Sequence, residues 1–307
     1  MSAFFAALGP VILIVGIGRL LAWRNVIAPE SWRAAERLSY VLLFPALIIR
    51  ALANAPFEST PWKLAAAVLF AQLALASTGL VARGLGLLGH HPTGAIIQSN
   101  ARWNTFVGLA IGGALFGDEG FALVAIAAAV MIPTANIVAV SALSHFSEQD
   151  GGDKPPLLKG LVTNPLLIAC AIGAGLNLAG LTPTGIIDQT LESLANATIA
   201  MGLLTAGAGV DLSALRRAGT RTFFWSLMRL LGLPALAIGA ALLLGVTGMQ
   251  LAIIAICAAT PTATSGYILA RQLGGDATLS ANLIAVQTVF STLTMPAVYL
   301  LATHLAA

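Results

Sequence analysis

Two long apolar stretches of the chain contain clusters of residues that could bind a small molecule. The clusters consist of Asn100, Arg102, Asn104 and Thr105 in the first stretch, and Thr260, Pro261, Thr262 and Thr264 in the second. An arginine near the centre of a lipid bilayer costs about 2.5 to 3.5 kcal/mol on insertion scales. We therefore expect Arg102 to be solvated inside the protein by water, backbone carbonyls or an anionic ligand.

Both clusters are expected to interrupt a helix. Pro261 cannot donate to the helical ladder and clashes with the preceding turn. The second half of each broken helix would begin with free N–H groups, at residues 105–107 and 262–264, which carry partial positive charge. Together with Arg102 they favour a carboxylate ligand. The alternative is structural, with Arg102 snorkelling to the interface or pairing with a carboxylate such as Asp211.

Other polar residues within apolar stretches are weaker candidates. Asn136 and Gln287 are expected to line the pathway or to hold the broken helices. Arg19 and Arg229 lie near predicted helix ends, where snorkelling of the long side chain explains an arginine.

The sequence does not support nucleotide binding, metal binding or enzymatic catalysis. Gly84, Gly86 and Gly89 match a dinucleotide-binding spacing but follow no strand. The histidines and cysteines have no metal-ligand spacing, and no cluster of acid, base and nucleophile suggests an enzyme. No Walker motif and no basic stripe is present, so we expect no ATP-driven step, cofactor, metal or nucleic-acid partner.

The chain must place these clusters inside a lipid bilayer. It has 307 residues, 58% hydrophobic and 9% charged, against roughly 25% charged in soluble domains. Runs of about 20 apolar residues indicate membrane helices. The predicted spans are 3–23, 38–55, 62–82, 94–116, 120–143, 160–180, 187–209, 222–245, 249–270 and 277–303.

Lysine and arginine favour one side of these spans. With the N-terminus outside, ten basic residues lie in inner loops, whereas only Arg50 and Lys63 lie in outer ones. Because basic loops remain in the cytoplasm, we expect a multi-pass protein of a bacterial inner membrane with both termini in the periplasm.

The chain also shows signs of an internal repeat. Asp118 and Asp276 precede the fifth and tenth spans, and the same offset of 158 relates the two polar clusters. Five spans is an odd number, so two such repeats have opposite topology. We predict an all-α membrane protein of ten helices in two inverted five-helix repeats, 1–143 and 160–307, joined by a cytoplasmic linker, 144–159, with broken helices 4 and 9 crossed.

Short motifs across nearly the whole chain resemble the auxin efflux carrier family, whose bacterial members include malonate and malate permeases. The motifs are residues 99–108 (SNARWNTFVG), 42–47 (LLFPAL), 163–166 (TNPL) and 259–261 (ATP). The resemblance implies ten helices, crossed spans 4 and 9, and a scaffold of spans 1, 2, 6 and 7 beside a moving part. It also implies that Asn104 and Pro261 are the crossover residues. Trp103 stands where plant members have proline, and their long central loop is absent.

The expected function is secondary transport of small organic anions, such as mono- or dicarboxylates or auxin-like acids, by alternating access of the elevator type. A sodium-coupled symporter of the bile-acid type and a membrane receptor that moves nothing are the alternatives. The sequence leaves open the coupling ion, the direction of transport and whether the chain forms a homodimer.

Overall fold

A computed structural model describes residues 2–54, 61–147 and 165–305. In these ranges the chain is helical and contains no strand. The helices are α1 (Ser2–Trp23), α2 (Pro29–Leu38), α3 (Phe44–Ala53), α4 (Trp62–Gly84), α5 (His90–Ala101), α6 (Thr105–His145), α7 (Pro165–Leu178), α8 (Gly185–Ala208), α9 (Leu212–Arg217), α10 (Thr220–Leu227), α11 (Leu233–Leu243), α12 (Gly248–Ala259), α13 (Ser265–Gln272) and α14 (Ala277–Leu305). Most of the predicted linker, 148–159, lies outside the described residues.

Helices suit an apolar solvent because they satisfy every backbone polar group within one segment. Five described stretches are long and apolar enough to cross a membrane, and two shorter apolar helices accompany them. The long stretches are Phe4–Trp23, Trp62–Gly84, His90–His145, Thr220–Leu243 and Ala277–Leu305. The prediction of a helical membrane protein is confirmed at this level, and the count of ten spans stays a prediction.

Two predicted spans differ in detail from the structure. The span expected at 38–55 is a helix that begins earlier, at Pro29, and passes through a π-helical turn, Ser39–Leu43, before Pro45. A proline removes one hydrogen bond of the ladder, and a wider turn ahead of it accommodates the loss. In the span predicted at 222–245, a second π-helical turn, Met228–Gly232, precedes Pro234.

Glycines mark two of the expected boundaries. Gly117 has φ of 61° and ψ of −147° and kinks α6 between the spans predicted at 94–116 and 120–143. Gly245 and Gly248, with φ of 70° and 60°, separate α11 from α12, as the sequence predicts. Both conformations disfavour residues with a Cβ atom.

The helices pack as two groups. In one group α1 packs against α8, and α3 packs against both α7 and α8. In the other, α4 packs against α5 and α11, and α12 packs against α6, α11 and α14. The break in α5/α6 and the break in α12/α13 both lie in the second group, beside α8 of the first.

The contact between α1 and α8 depends on small residues. A Cβ atom added to Gly18 would overlap the backbone of Leu204, and one added to Gly207 would overlap the backbone of Val15. The two glycines thus let the helix backbones approach closely, as small residues do in membrane helix pairs.

Gly18→Ala is expected to destabilise the protein by about 1–3 kcal/mol, because overpacking forces the two helices apart. Thermal unfolding in detergent measures the effect. Gly16→Ala is the matched control, because an added Cβ at Gly16 meets nothing within 4 Å on the same helix. Equal melting temperatures for the two variants would show that the α1–α8 contact tolerates a methyl group.

Candidate functional site

Both polar clusters interrupt their helices. Between α5 and α6 the backbone is extended at Arg102 and Asn104, and between α12 and α13 it is extended at Thr260. The two breaks touch, because the backbone N–H of Asn104 donates to the carbonyl oxygen of Pro261 over 2.8 Å. The chain therefore brings two sets of helix ends together inside an apolar protein.

Two of the backbone N–H groups that we expected to be free donate hydrogen bonds to side chains. The Oδ1 atom of Asn104 accepts from the N–H of Val107 at 3.2 Å and caps α6. The Oε1 atom of Gln287 accepts from the N–H of Thr262 at 3.0 Å, and its Nε2 atom donates to the Ser99 hydroxyl at 2.9 Å. Capping side chains normally satisfy such helix ends, so the expectation was wrong for Val107 and Thr262.

Arg102 meets neutral partners at the break. Its Nη1 atom donates to Oδ1 of Asn136 at 3.3 Å, and its Nη2 atom donates to the hydroxyl of Ser265 at 2.9 Å. No carboxylate among the described residues forms an ion pair with it. The alternative pairing with Asp211 is wrong, because Asp211 binds Arg217 at 2.8 Å.

A cavity of about 100 Å³ opens beside this guanidinium. Of the predicted site residues, Arg102, Asn104, Thr105, Asn136 and Thr264 line it. It also contains Glu36 and Tyr40 of the segment that leads into α3. The breaks thus face a small, largely apolar space whose lining includes one arginine and one carboxylate.

Two further cavities adjoin the breaks. One, of about 280 Å³, lies against α1 and α14 and reaches Asn104, Pro261 and Thr264. The other, of about 680 Å³, shares Glu36, Thr205 and Thr264 with the small cavity. The large cavity is lined by several basic residues, namely Arg19, Arg33 and Arg271.

The remaining predicted site residues are buried and line none of these three cavities. Asn100 donates to the carbonyl of Leu75 at 3.2 Å, and the Thr260 hydroxyl donates to that of Cys257 at 2.9 Å. Thr262 and Gln287 bind each other as described above. In this conformation these four residues hold the broken helices in place.

Arg229 is a residue of the site that sequence reasoning misplaced. Instead of snorkelling, its side chain is fully buried. Its Nη1 atom donates to the carbonyl of Ala258 at 2.7 Å, while Nε and Nη2 donate to the carbonyl of Arg102 at 3.3 and 3.1 Å. One guanidinium therefore caps the carboxyl ends of both first half-helices, where the helix dipole is negative.

The position of Arg229 along its helix could have indicated that its side chain is buried. The helix begins at Thr220, so Arg229 lies more than two turns inside at 3.6 residues per turn, too far for a side chain to reach the interface easily. Two glutamines that we did not assign to the site act similarly. Gln72 donates to the carbonyls of Ala101 and Met131 at 2.7 and 2.9 Å, and Gln98 donates to that of Gly266 at 3.1 Å.

The chain has apolar helices long enough to cross a bilayer, and two of its helix breaks touch beside a cavity that an arginine lines. This arrangement is typical of membrane transporters. The family model described as Membrane transport protein matches residues 3–299. The chain belongs to this family, the auxin efflux carrier family, and the resemblance seen in the sequence is confirmed. It is 26% identical over 293 residues to an uncharacterized transporter of Methanothermobacter thermautotrophicus, covering 93% of this chain and 94% of the relative.

Proposed function

We propose that this membrane transporter carries small organic anions, such as mono- or dicarboxylates, by alternating access of the elevator type. The observation that carries the proposal is the position of Arg102. Its guanidinium faces a cavity at two helix breaks and has neutral hydrogen-bond partners in the described part of the chain.

The site has the chemistry that a carboxylate needs. Arg102 presents a planar donor fork, which matches two carboxylate oxygens. The amides of Thr105 and Phe106 donate to no described group, and both residues line the cavity. They open α6, where partial positive charge favours an anion. The hydroxyls of Thr264 and Ser265 add adaptable donors at the second break.

The packing supports an inverted repeat of 1–143 and 160–307. Spans 1, 2, 6 and 7 contain the helices α1, α3, α7 and α8, in that order. If spans 1 and 2 correspond to spans 6 and 7, the contact of α1 with α8 is equivalent to the contact of α7 with α3. Both pairs of helices pack closely. These four helices form the first packing group, which suits a scaffold. The other group contains both breaks and suits a moving part, with the substrate carried at the crossing.

The cavities also suit the predicted orientation. The large cavity shares Glu36, Thr205 and Thr264 with the cavity of Arg102, and it is lined by Arg19, Arg33 and Arg271. Basic residues mark the cytoplasmic side of a membrane protein. We infer an inner-membrane protein with periplasmic termini, in a conformation that opens toward the cytoplasm.

Uptake into liposomes tests the function. Purified protein is reconstituted, and exchange of labelled malonate, malate and indole acetate is followed against internal unlabelled anion, with protein-free liposomes as the control. We expect saturable exchange of at least one anion, and competition by the others that bind. A protein that shows a cooperative thermal unfolding transition but exchanges none of these anions would overturn the proposal.

A further inference from the structure

Glu36 and Arg102 line the same small cavity, of about 100 Å³, without forming a salt bridge. The side chain of Glu36 is half-buried and has no hydrogen bond or ion pair with any described residue. The two groups are close enough for electrostatic attraction between their charges. Among the described acids, Glu36 is therefore the one that compensates the charge of Arg102 in this conformation.

The two charges belong to different packing groups. Glu36 lies on α2, which continues through a π-helical turn into α3 and packs against α8, so it belongs to the group that suits a scaffold. Arg102 lies at the break between α5 and α6, in the group that suits a moving part. Arg33 and Arg37 flank Glu36 on α2, and basic residues mark the cytoplasmic side. Movement of the second group toward the periplasm would therefore take Arg102 away from Glu36.

The periplasmic side of the scaffold has no equivalent acid for Arg102 among the described residues. The acids of α8 on that side are Asp188 and Glu192, and both pair with Arg50. An empty moving part that faces the periplasm would leave Arg102 without a compensating acid, and an uncompensated charge inside a protein is costly. A bound carboxylate supplies the compensating charge itself and moves with the arginine.

We propose that Glu36 holds the empty carrier open to the cytoplasm, so that import of an anion depends on exchange with an anion from the cytoplasm. Attraction between Glu36 and Arg102 stabilises the empty, cytoplasm-facing state. A bound carboxylate neutralises Arg102 and weakens this attraction, so the loaded carrier leaves that state more readily than the empty one. This inference rests on the proposed function, including its elevator movement.

The attraction acts differently on the two directions of transport. After import, the empty carrier must return from the cytoplasmic to the periplasmic side, and this step works against the attraction of Glu36. A cytoplasmic anion removes the step, because the carrier then returns loaded. After export, the empty carrier returns toward Glu36, and no anion is needed on the periplasmic side. We therefore expect anion on the opposite side of the membrane to accelerate import and to have little effect on export.

The experiment uses bacterial membrane vesicles of known orientation, with valinomycin and equal potassium to clamp the membrane potential. The probe is whichever of labelled malonate, malate and indole acetate the liposomes exchange fastest. Uptake into right-side-out vesicles measures import, and uptake into inside-out vesicles measures export, each with and without unlabelled anion inside. Vesicles from cells that lack the protein give the background. For the wild type we expect internal anion to raise import by about fivefold or more, within the usual range of coupling between sites, and to raise export by less than about twofold.

Replacing Glu36 by glutamine removes the charge that holds the empty carrier. In Glu36→Gln, import without internal anion is expected to rise by about fivefold, and its stimulation by internal anion is expected to fall below about twofold. Glu30→Gln is the matched control, because it removes the same charge from the same helix. Glu30 is exposed, pairs with Arg33 and does not line the small cavity, so Glu30→Gln should keep the stimulation of the wild type.

The outcomes separate this inference from the proposed function. Three results overturn the inference and leave the function standing: equal stimulation of import and export in the wild type, full stimulation in Glu36→Gln, and equal loss of stimulation in Glu30→Gln. Absence of exchange of all three anions in wild-type liposomes overturns both. If Glu36→Gln transports in neither kind of vesicle, salt dependence of the wild type decides, because about 1 M salt screens charges that solvent reaches. Stimulation of import that falls in high salt supports the inference, and unchanged stimulation overturns it.

Discussion

Replacing Arg102 by alanine is expected to lower the initial rate of anion uptake by about 10- to 100-fold, the equivalent of one charge-assisted hydrogen-bonded contact of about 1.5–3 kcal/mol. The guanidinium is the cation that faces the cavity at both breaks. Lysine at this position keeps the charge but cannot reproduce the fork that reaches Asn136 and Ser265. Arg102→Lys should therefore fall between alanine and the wild type.

Arg217→Ala is the matched control for Arg102, because Arg217 is an exposed arginine that pairs with Asp211 outside the cavities described above. Uptake should change little in this variant. The partners of Arg102 are neutral and can bind water in its place, so Arg102→Ala should melt close to the wild type in detergent. Unchanged uptake by a folded Arg102→Ala would remove the basis for an anion site at the crossing.

The helix breaks could be predicted because their cause is local. Pro261 removes a backbone donor, and the run from Gln98 to Thr105 places amides and an arginine where a membrane helix is otherwise apolar. Both features are visible in a window of a few residues. The contact between the breaks was expected from the matching positions in the two halves, and the bond from Asn104 to Pro261 is consistent with it.

The partners at the breaks could not be predicted, because they come from distant parts of the chain. Gln72 is 29 residues from the carbonyl that it binds at Ala101, and Arg229 is 127 residues from Arg102. Sequence position alone cannot tell which buried amide or guanidinium reaches a given free carbonyl. Glu36 was missed for another reason, since the span predicted at 38–55 excluded it, whereas the helix begins at Pro29.

Arg229 shows how strongly the crossing depends on such a distant residue. Its three hydrogen bonds satisfy the carbonyl groups of Arg102 and Ala258, and both Arg229 and Ala258 are fully buried. An unsatisfied buried polar group costs about 1–3 kcal/mol. Leaving both carbonyls without a donor should therefore lower the free energy of unfolding by about 2–6 kcal/mol. Typical domains are stable by only about 5–15 kcal/mol, and a loss of this size removes much of that margin.

Arg229→Met is therefore expected to melt well below the wild type in detergent and to give a low yield of monodisperse protein. Arg221→Met is the matched control, because Arg221 is exposed on the same helix and should melt like the wild type. Arg229→Lys should be intermediate, since a single ammonium group lacks the fork that spans two carbonyls. If Arg229→Met melts like Arg221→Met, water or a rearranged backbone must satisfy the two carbonyls. The broken helices would then be held together mainly by Gln72, Gln98 and Gln287.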